Sequence, residues 1–455
     1  MAANQQSPAP APKGFLDRFF KLTERGTNVR TEILAGLTTF VTMAYILVVN
    51  PNTLTLKGLP EDVLSKLNLP DWGAVFMATV LAAVVSTLVM GLVANWPFAL
   101  VPGMGLNAFF AFTLVLGMGL SWQTALGAVF ISGILALIVT VTGLREIMIK
   151  AIPMSLKHAV SAGIGFFIML IGLKNAGIVV PMEATIISLG AIKTAPVLIA
   201  ILGLIVTAVL VARRVPGGIL IGIAVTTLLG IPFGVTQLPD TIVSAPPSLG
   251  PTFLKLDIMG ALSGGMVAVI FSMFFADLFD TIGTFVGVAG KAGLMDKEGN
   301  LKDGSKALVA DSAGTIIGAL LGTSNTTTYV ESAAGISAGG RTGLTAVATA
   351  GFFLLSAFLW PVFIAVPSAA TAPALIIVGV LMASPLLEID LHDFSEAFPA
   401  ILTAVMMPFT FSIATGLALG FVAYVALNAL TGKAAKIHWM LYVLTAFFVY
   451  YFYAH

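Results

Sequence analysis

Long apolar segments, separated by short polar ones, run through nearly the whole chain. About twenty mostly apolar residues are needed for a helix that crosses a bilayer. In the first half such segments lie near 31–49, 73–94, 98–117, 122–143, 153–174, 195–212 and 216–231. In the second half they lie near 258–290, 307–321, 324–340, 343–364, 367–384, 396–412 and 414–430. The pattern predicts an all-α polytopic membrane protein with about fourteen spans.

The two ends of the chain differ from these segments. Residues 1–30 begin with a Pro-, Ala- and Gln-rich stretch that lacks the apolar core of a signal peptide, and they continue as a basic approach to the membrane. We expect a cytoplasmic tail there. The short aromatic stretch 439–453 either crosses the membrane or lies in its interface.

The two halves of the chain repeat one another. Pro153 and Gly165 in the fifth span have the same spacing as Pro367 and Gly379 in the twelfth. Seven spans per half is an odd number, so the second half would enter the membrane from the opposite side. This arrangement is the inverted repeat of many secondary transporters.

The third and tenth spans do not read as ordinary membrane helices. Pro97–Asn107 contains two prolines and two glycines where a helix should already be running. Gly322–Ser332 carries a run of polar β-branched residues, which favours extended backbone. Backbone that leaves the helix at membrane depth must be buried in protein or line a wet cavity. We expect a short extended segment in each span, followed by a half-helix whose positive end points at the midplane.

Composition and charge agree with a membrane protein. Hydrophobic residues make up 58% of the chain and charged residues 9%, against roughly 25% charged in soluble domains. The net charge of +1 gives no reason to expect a polyanionic partner such as nucleic acid. Most of the 22 Lys and Arg residues, Arg145 among them, fall in loops on the side of the N-terminus, which places the N-terminus in the cytoplasm. The loop 388–396 on that side is acidic instead.

Metal and redox chemistry have no basis in the sequence. The chain has no Cys, which excludes disulfides, thiolate nucleophiles and Cys-ligated metals. Its four His residues are scattered without ligand spacing. We therefore expect no metal and no cofactor.

A few acidic residues lie within apolar segments. Asp277, Asp280 and Glu331 fall deep inside predicted spans, and Asp311 lies at the start of one. No Lys or Arg lies within these spans, so we expect no basic partner for the buried acids. A charge at bilayer depth is costly and marks a functional pathway by default. The alternative, a protonated carboxyl that makes a structural hydrogen bond, stays open, most of all for Asp277.

These side chains indicate the chemistry of a ligand. Thr281 and Thr284 follow on the same helix face as Asp277 and Asp280. Carboxylates, hydroxyls, an Asn and half-helix N–H groups, without Lys or Arg, suit a neutral ligand that has several N–H donors and some acceptors. A planar heterocycle fits this description, and an anion does not.

Several motifs resemble those of one transporter family. The chain resembles, over residues 15–455, the AzgA-like branch of the nucleobase–cation symporter (nucleobase/ascorbate) transporters. The motifs that carry the resemblance are Thr31–Gly36, Asn50-Pro51, Pro97–Asn107, Ala276–Thr284 and Thr327–Ser332. The resemblance implies a UraA-like fold of seven plus seven spans with core and gate domains. It also implies proton-coupled uptake of adenine, guanine or hypoxanthine across the inner membrane, with no cofactor beyond H⁺, by a protein that is a homodimer.

The resemblance also implies a division into domains. The core domain comprises residues 31–143 and 258–364, and the gate domain comprises residues 144–257 and 365–430. The segments outside them are the tail 1–30 and the C-terminal segment 431–455.

The site residues follow from matching positions. The resemblance matches Asp280 to the eighth-span acid, which is a Glu in the wider family, and Glu331 to the tenth-span acid. Gly105 and Asn107 match third-span residues tied to purine recognition in this branch, and all four are predicted to bind the substrate. The neighbours Val330 and Ser332 complete the predicted binding set, and the predicted supporting residues are Thr281, Thr284 and Thr328. Thr284 stands where the uracil and xanthine branches carry Asp, which puts a borrowed coupling role in doubt there. We expect Asp280 first, and Asp277 second, to carry the coupled proton, with Glu331 as a rival.

Other functions stay open as alternatives. An anion exchanger of the same fold would want a cationic residue at the tenth half-helix, where this chain has Glu331. Sodium-coupled nucleobase uptake would need a cluster of carbonyl and hydroxyl ligands apart from the purine site, which the sequence does not suggest. A channel is a further alternative. An intramembrane enzyme is not expected, because no Ser–His pair or HExxH pattern is present.

Overall fold

The computed structural model describes residues 14–182, 184–263, 266–292, 294 and 304–454. Residues 1–13 of the predicted cytoplasmic tail lie outside the described residues.

Helices dominate the described chain. In the first half they are α1 Phe15–Phe20, α2 Val29–Met43, α3 Ile46–Leu54, α4 Glu61–Leu64, α5 Trp72–Val89, α6 Met104–Ala108, α7 Trp122–Val141, α8 Leu144–Ala151, α9 Met154–Asn175, α10 Ala195–Ala212 and α11 Gly218–Gly230. In the second half they are α12 Ile258–Ala261, α13 Met266–Ala292, α14 Gly304–Leu321, α15 Ser332–Ser337, α16 Gly343–Ser356, α17 Trp360–Ile364, α18 Ser368–Ala383, α19 Phe394–Phe409, α20 Ile413–Leu430 and α21 Trp439–Ala454.

The predicted all-α polytopic fold is confirmed. Within the described residues, eight helices have the length and apolar composition needed to cross a membrane. Four shorter apolar helices accompany them, at Met104–Gly117, Gly218–Gly230, Phe394–Phe409 and Trp439–Val449. The total of fourteen spans stays a prediction. The aromatic C-terminal stretch is helical, as α21, and whether it spans the membrane also stays open.

Extended backbone interrupts the third and tenth segments, as the sequence predicts. Strand β1, Leu100–Pro102, pairs antiparallel with β4, Thr326–Thr328, and Val101 lies opposite Thr327. Both strands are fully buried, so their polar backbone groups are kept from lipid by protein. Helix α6 begins at Met104, two residues after β1 ends, and α15 begins at Ser332, four residues after β4 ends. Two non-consecutive segments, one from each half, therefore meet in the buried interior as a pair of crossed strands.

The repeated glycines meet at the contact between the two halves. Helices α9 and α18 pack together over much of their length. A Cβ atom added to Gly165 would come within 2.6 Å of the carbonyl oxygen of Gly379. Glycine allows such close backbone approach between membrane helices. The matching Pro-to-Gly spacing thus corresponds to a symmetric contact of equivalent helices.

The helices pack in two groups. One group is formed around α2, α5, α7, α14 and α16. The other is formed around α9, α10, α11, α18, α19 and α20. Helix α13 contacts both groups, since it packs against α7 on one side and against α9 and α20 on the other. The crossed strands lie in the first group, beside the boundary with the second.

A small hairpin between α9 and α10 is not predicted by the sequence analysis. Strands β2, Val179–Met182, and β3, Ile186–Leu189, pair antiparallel, with Val179 opposite Leu189. The hairpin is largely exposed. Its residues lie between two apolar segments, where span periodicity gives no information about strands.

Candidate substrate site

A cavity of about 410 Å³ lies where the crossed strands face the second helix group. Volumes of this order are typical of small-molecule sites. The residues that line it are Tyr45, Met104, Gly105, Ser161, Phe279, Asp280, Thr284, Thr328, Tyr329, Val330, Glu331, Val378, Leu381, Met382, Ser384 and Pro385. The cavity therefore draws on α6, α13 and the β4–α15 junction on one side, and on α9 and the end of α18 from the second group on the other.

Two carboxyl groups face this cavity from different segments. Asp280 lies on α13, and Glu331 is the residue just before α15. The Tyr45 hydroxyl, at the break between α2 and α3, donates a hydrogen bond of 2.7 Å to Glu331 Oε1. No Lys or Arg side chain is among the described residues that line the cavity. The site can thus accept N–H groups from a ligand in two places without a cation to balance an anionic ligand.

The first half contributes a close backbone approach. Gly105, in the first turn of α6, lines the cavity, and a Cβ atom added there would overlap Ile164 Cγ2 on α9. Glycine at this position lets the two helix groups approach each other at the cavity wall. The N-terminal turn of α6 also directs the positive end of its dipole to this region.

Six of the predicted site residues line the cavity. They are Gly105, Asp280, Thr284, Thr328, Val330 and Glu331. Asp280 and Thr284 lie one helical turn apart on α13, as the predicted helix face requires.

Four other predicted residues lie behind the cavity wall. Asn107 is fully buried, and its Nδ2 donates to Asn50 Oδ1 at 3.0 Å. Ser332 is also buried, and its Oγ accepts the N–H of Ala99 at 3.1 Å. These contacts hold the crossed segments together, and neither residue is among those that line the cavity. The direct substrate contacts of Asn107 and Ser332 stay a prediction.

The remaining two, Thr281 and Asp277, point away from the lining. Thr281 Oγ1 donates to Asp311 Oδ2 at 2.8 Å. Asp277 is 2% exposed, and its Oδ1 has no hydrogen-bond partner among the described residues. The predicted helix face is thus divided, because Asp280 and Thr284 reach the cavity while the other two side chains reach α14.

A buried ion pair corrects one expectation from the sequence. Asp311 is fully buried, and its Oδ2 lies 3.9 Å from Arg145 Nη2, whose side chain is 3% exposed. The expectation that the acids within the membrane lack a basic partner is wrong for Asp311. Arg145 follows α7 in sequence and reads as a loop residue, but its long side chain reaches back into the helix packing.

A second buried polar cluster lies near β1 and β4. Asn50 Nδ2 donates to Thr79 Oγ1 and to Thr323 Oγ1, both at 2.8 Å. Within the described chain, several buried polar atoms of this region have no protein partner; they are Asn107 Oδ1, Ser324 Oγ, Thr326 Oγ1 and both amide atoms of Asn325. Buried hydroxyl and amide groups therefore lie together beside the paired strands, and the expectation against sodium coupling stays a prediction.

Sequence reasoning missed several residues of the cavity wall. Tyr45, Ser161, Phe279 and Tyr329 line the cavity. Tyr329 belongs to a quoted motif, and Phe279 lies between the two acids of α13, so both could have been inferred from proximity. Tyr45 and Ser161 come from distant spans that only the tertiary fold brings to the site.

The fold and the cavity define the class of this protein as a multi-pass membrane transporter. Residues 30–419 match a family described as "Permease family" (Xan_ur_permease). The chain belongs to this family of nucleobase permeases, as the motif resemblance implies.

Two relatives cover nearly the whole chain. The guanine/hypoxanthine permease PbuG of Bacillus subtilis is 49% identical over 436 residues, which are 95% of this chain and 98% of the relative. The adenine permease AdeP of Escherichia coli is 44% identical over 431 residues, which are 95% of this chain and 94% of the relative.

A solved structure supports the fold. The transmembrane domain of the cyanobacterial bicarbonate transporter BicA matches with a TM-score of 0.63 at 14% identity, covering 86% of this chain and 97% of that domain. At this identity the likeness concerns the fold alone.

Proposed function

We propose that this protein imports purine nucleobases, namely adenine, guanine or hypoxanthine, by proton symport. The observation that carries the proposal is the pair Asp280 and Glu331, which face one cavity from different segments, with no Lys or Arg among the described residues that line it. The names of the relatives supply the substrate class.

The cavity chemistry suits a neutral purine. The two carboxyls accept N–H groups of the base, and the first turn of α6, which lines the cavity, offers backbone N–H groups for its acceptors. Phe279 supplies an aromatic face in the same wall. An anion exchanger of the same fold is disfavoured, since a bound anion would meet two acids and, within the described lining of the cavity, no Lys or Arg.

We assign the coupled proton to Asp280. Its side chain is half-buried and lines the cavity, where a proton and a purine can influence each other's binding. Asp277 is the second candidate, but it lies behind the wall among charges that include Asp311 and Arg145. Glu331 shares the cavity with Asp280, so the two acids are expected to titrate as a pair.

Sodium coupling is the second candidate mechanism. The buried oxygens around Asn107, Ser324 and Asn325 favour it, because neutral side-chain oxygens are ligands of hard cations. Ordered water would satisfy the same groups. A sodium-dependent uptake in the absence of a pH gradient would support this alternative.

Transport then requires movement of one helix group against the other. We propose residues 31–143 and 258–364 as the core and 144–257 and 365–430 as the gate, moving in an elevator or rocking motion.

The cavity reaches Leu381–Pro385 at the end of α18, next to the acidic loop that we assign to the cytoplasm. At the other end, Lys57 Nζ donates to the Ile364 carbonyl at 2.7 Å, and Ser368 Oγ donates to the Lys57 carbonyl at 2.9 Å. The cavity thus lies toward the end assigned to the cytoplasm, and the Lys57 contacts join the two helix groups at the opposite end. Both features support an inward-facing state.

We place the protein in the inner membrane as a homodimer, with a cytoplasmic N-terminus.

Binding to the purified protein tests the substrate class. Adenine, guanine or hypoxanthine should raise the unfolding temperature and compete with one another, while uracil, sulfate and bicarbonate should not. Stabilisation by an anion but by no purine would contradict the proposal and favour the anion exchanger.

A further inference from the structure

Arg145 is a buried basic residue that lies outside the cavity wall. It occupies the second position of α8, the short helix that connects α7 to α9. Its Nη1 donates to Thr140 Oγ1 at 3.1 Å, and its Nη2 lies 3.9 Å from Asp311 Oδ2. Its Nε has no hydrogen-bond partner among the described residues. Burying a guanidinium is costly, so its partner should matter to the protein.

Asp311 is the centre of a hydrogen-bond network that reaches both segments of the site. Its Oδ1 accepts the backbone N–H of Thr328 at 2.9 Å and the Thr328 hydroxyl at 3.0 Å. Its Oδ2 accepts the hydroxyl of Thr281 at 2.8 Å. Thr327 Oγ1 also donates to Oδ1, at 3.3 Å. One carboxylate therefore binds β4 and α13 together.

The residues that donate hydrogen bonds to Asp311 lie close in sequence to the two acids of the cavity, Asp280 and Glu331. Thr281 follows Asp280 in α13, and Thr328 lies three residues before Glu331. A shift of the Asp311 carboxylate would move the backbone on which each acid is carried. Misplacement by about 1 Å, even from a distance, can lower the rate of a positioned reaction 100-fold.

We propose that Arg145 is a positioning residue for substrate binding that acts through Asp311. The guanidinium holds the Asp311 carboxylate in the orientation in which it accepts hydrogen bonds from Thr281 and Thr328, and thereby fixes the separation of Asp280 and Glu331. This inference rests on the proposed purine site, and it adds a residue from the connector between the two helix groups to the determinants of that site.

The rival explanation is a structural ion pair without influence on the site. In that case removal of Arg145 would destabilise the fold, because a buried carboxylate would lose its partner. Removal of the Asp311 charge as well would then restore both stability and binding. Under our proposal the second substitution restores stability but not affinity, because Asn keeps only one of the two acceptor oxygens that bind Thr281 and Thr328.

Equilibrium binding of radiolabelled purine to purified protein tests the proposal, together with the unfolding temperature of each variant. The probe is whichever of adenine, guanine and hypoxanthine the wild type binds most tightly. The variants are Arg145→Gln, Arg145→Lys, Asp311→Asn and the Arg145→Gln/Asp311→Asn pair. Arg213→Gln, at an exposed position after α10, is the matched control. A wild type that binds no purine would refute the proposed function and not this inference.

We expect Arg145→Gln to weaken binding by about 10- to 100-fold, Arg145→Lys to recover part of the loss, and the control to bind as the wild type does. In the Asp311→Asn background, Arg145→Gln should add no further loss. Unchanged affinity in Arg145→Gln, a full additional loss in the Asp311→Asn background, or wild-type affinity in the double variant would each overturn the proposal. If Arg145→Gln does not fold, Arg145→Lys and the double variant decide the question by the same criteria.

Discussion

Replacing Glu331 by Gln removes one charge from the cavity while nearly preserving the shape of the side chain. Tyr45 donates to one oxygen of this carboxylate at 2.7 Å. In Glu331→Gln the amide oxygen can still accept from Tyr45, but the NH₂ group cannot accept an N–H from a ligand. The substitution therefore separates the contact with the ligand from the contact with Tyr45.

The expected magnitude follows from the lost hydrogen bond. A hydrogen bond to a charged group contributes about 1.5–3 kcal/mol. Since about 1.4 kcal/mol changes an equilibrium constant tenfold, the purine Kd should rise by about 10- to 100-fold. The unfolding temperature of the variant should stay close to that of the wild type, because the tyrosine contact can be kept.

Isothermal titration of the purified protein with purine measures this change directly. Glu61→Gln is the matched control, since Glu61 lies exposed on α4 and the same substitution there should leave the Kd unchanged. An unaltered Kd in a folded Glu331→Gln variant would refute the reasoning and place Glu331 outside the binding site.

Three further outcomes follow from the structure. Asp280→Asn should still exchange purine across a membrane but lose accumulation driven by a pH gradient; a full pH response would move the proton elsewhere. Gly105→Ala should slow uptake by about tenfold, because overpacking costs about 1–3 kcal/mol, and Ile164→Ala should restore much of the loss in the same chain. Hydrogen bonds from Ser395 and Lys433 lower the pKa of Asp393 to about 2. Ionised Asp393 therefore stabilises the folded state at every pH above the ordinary pKa of an aspartic acid, and this contribution is lost only as the pH falls toward 2. Asp393→Asn should accordingly leave the pH profile of uptake between about pH 5 and 8 unchanged.

The general architecture could be predicted because lipid imposes strong constraints on sequence. Apolar length marks the membrane helices, and the prolines and glycines of Pro97–Asn107 mark a broken segment. The pairing of Leu100–Pro102 with Thr326–Thr328 follows the same logic, since buried extended backbone needs a partner.

The polar interior could be predicted only in part. Asp280 and Glu331 stand out because each is isolated in an apolar segment, but Tyr45 is an ordinary residue for a membrane helix until the fold places it against Glu331. Arg145 lies just beyond a predicted span, where a positive charge is expected because cytoplasmic loops carry an excess of Lys and Arg. Its side chain reaches inward for several ångströms, a direction that hydropathy does not encode.

The central claim, proton-coupled purine import, is tested most directly in liposomes that contain the purified protein. Uptake of labelled adenine, guanine and hypoxanthine is measured with an imposed inward proton gradient, with an inward sodium gradient at equal pH, and with no gradient. The account predicts saturable accumulation above equilibrium only with the proton gradient, and its loss when a protonophore collapses that gradient. Accumulation driven by sodium alone, or purine entry that never exceeds equilibrium under any gradient, would contradict it.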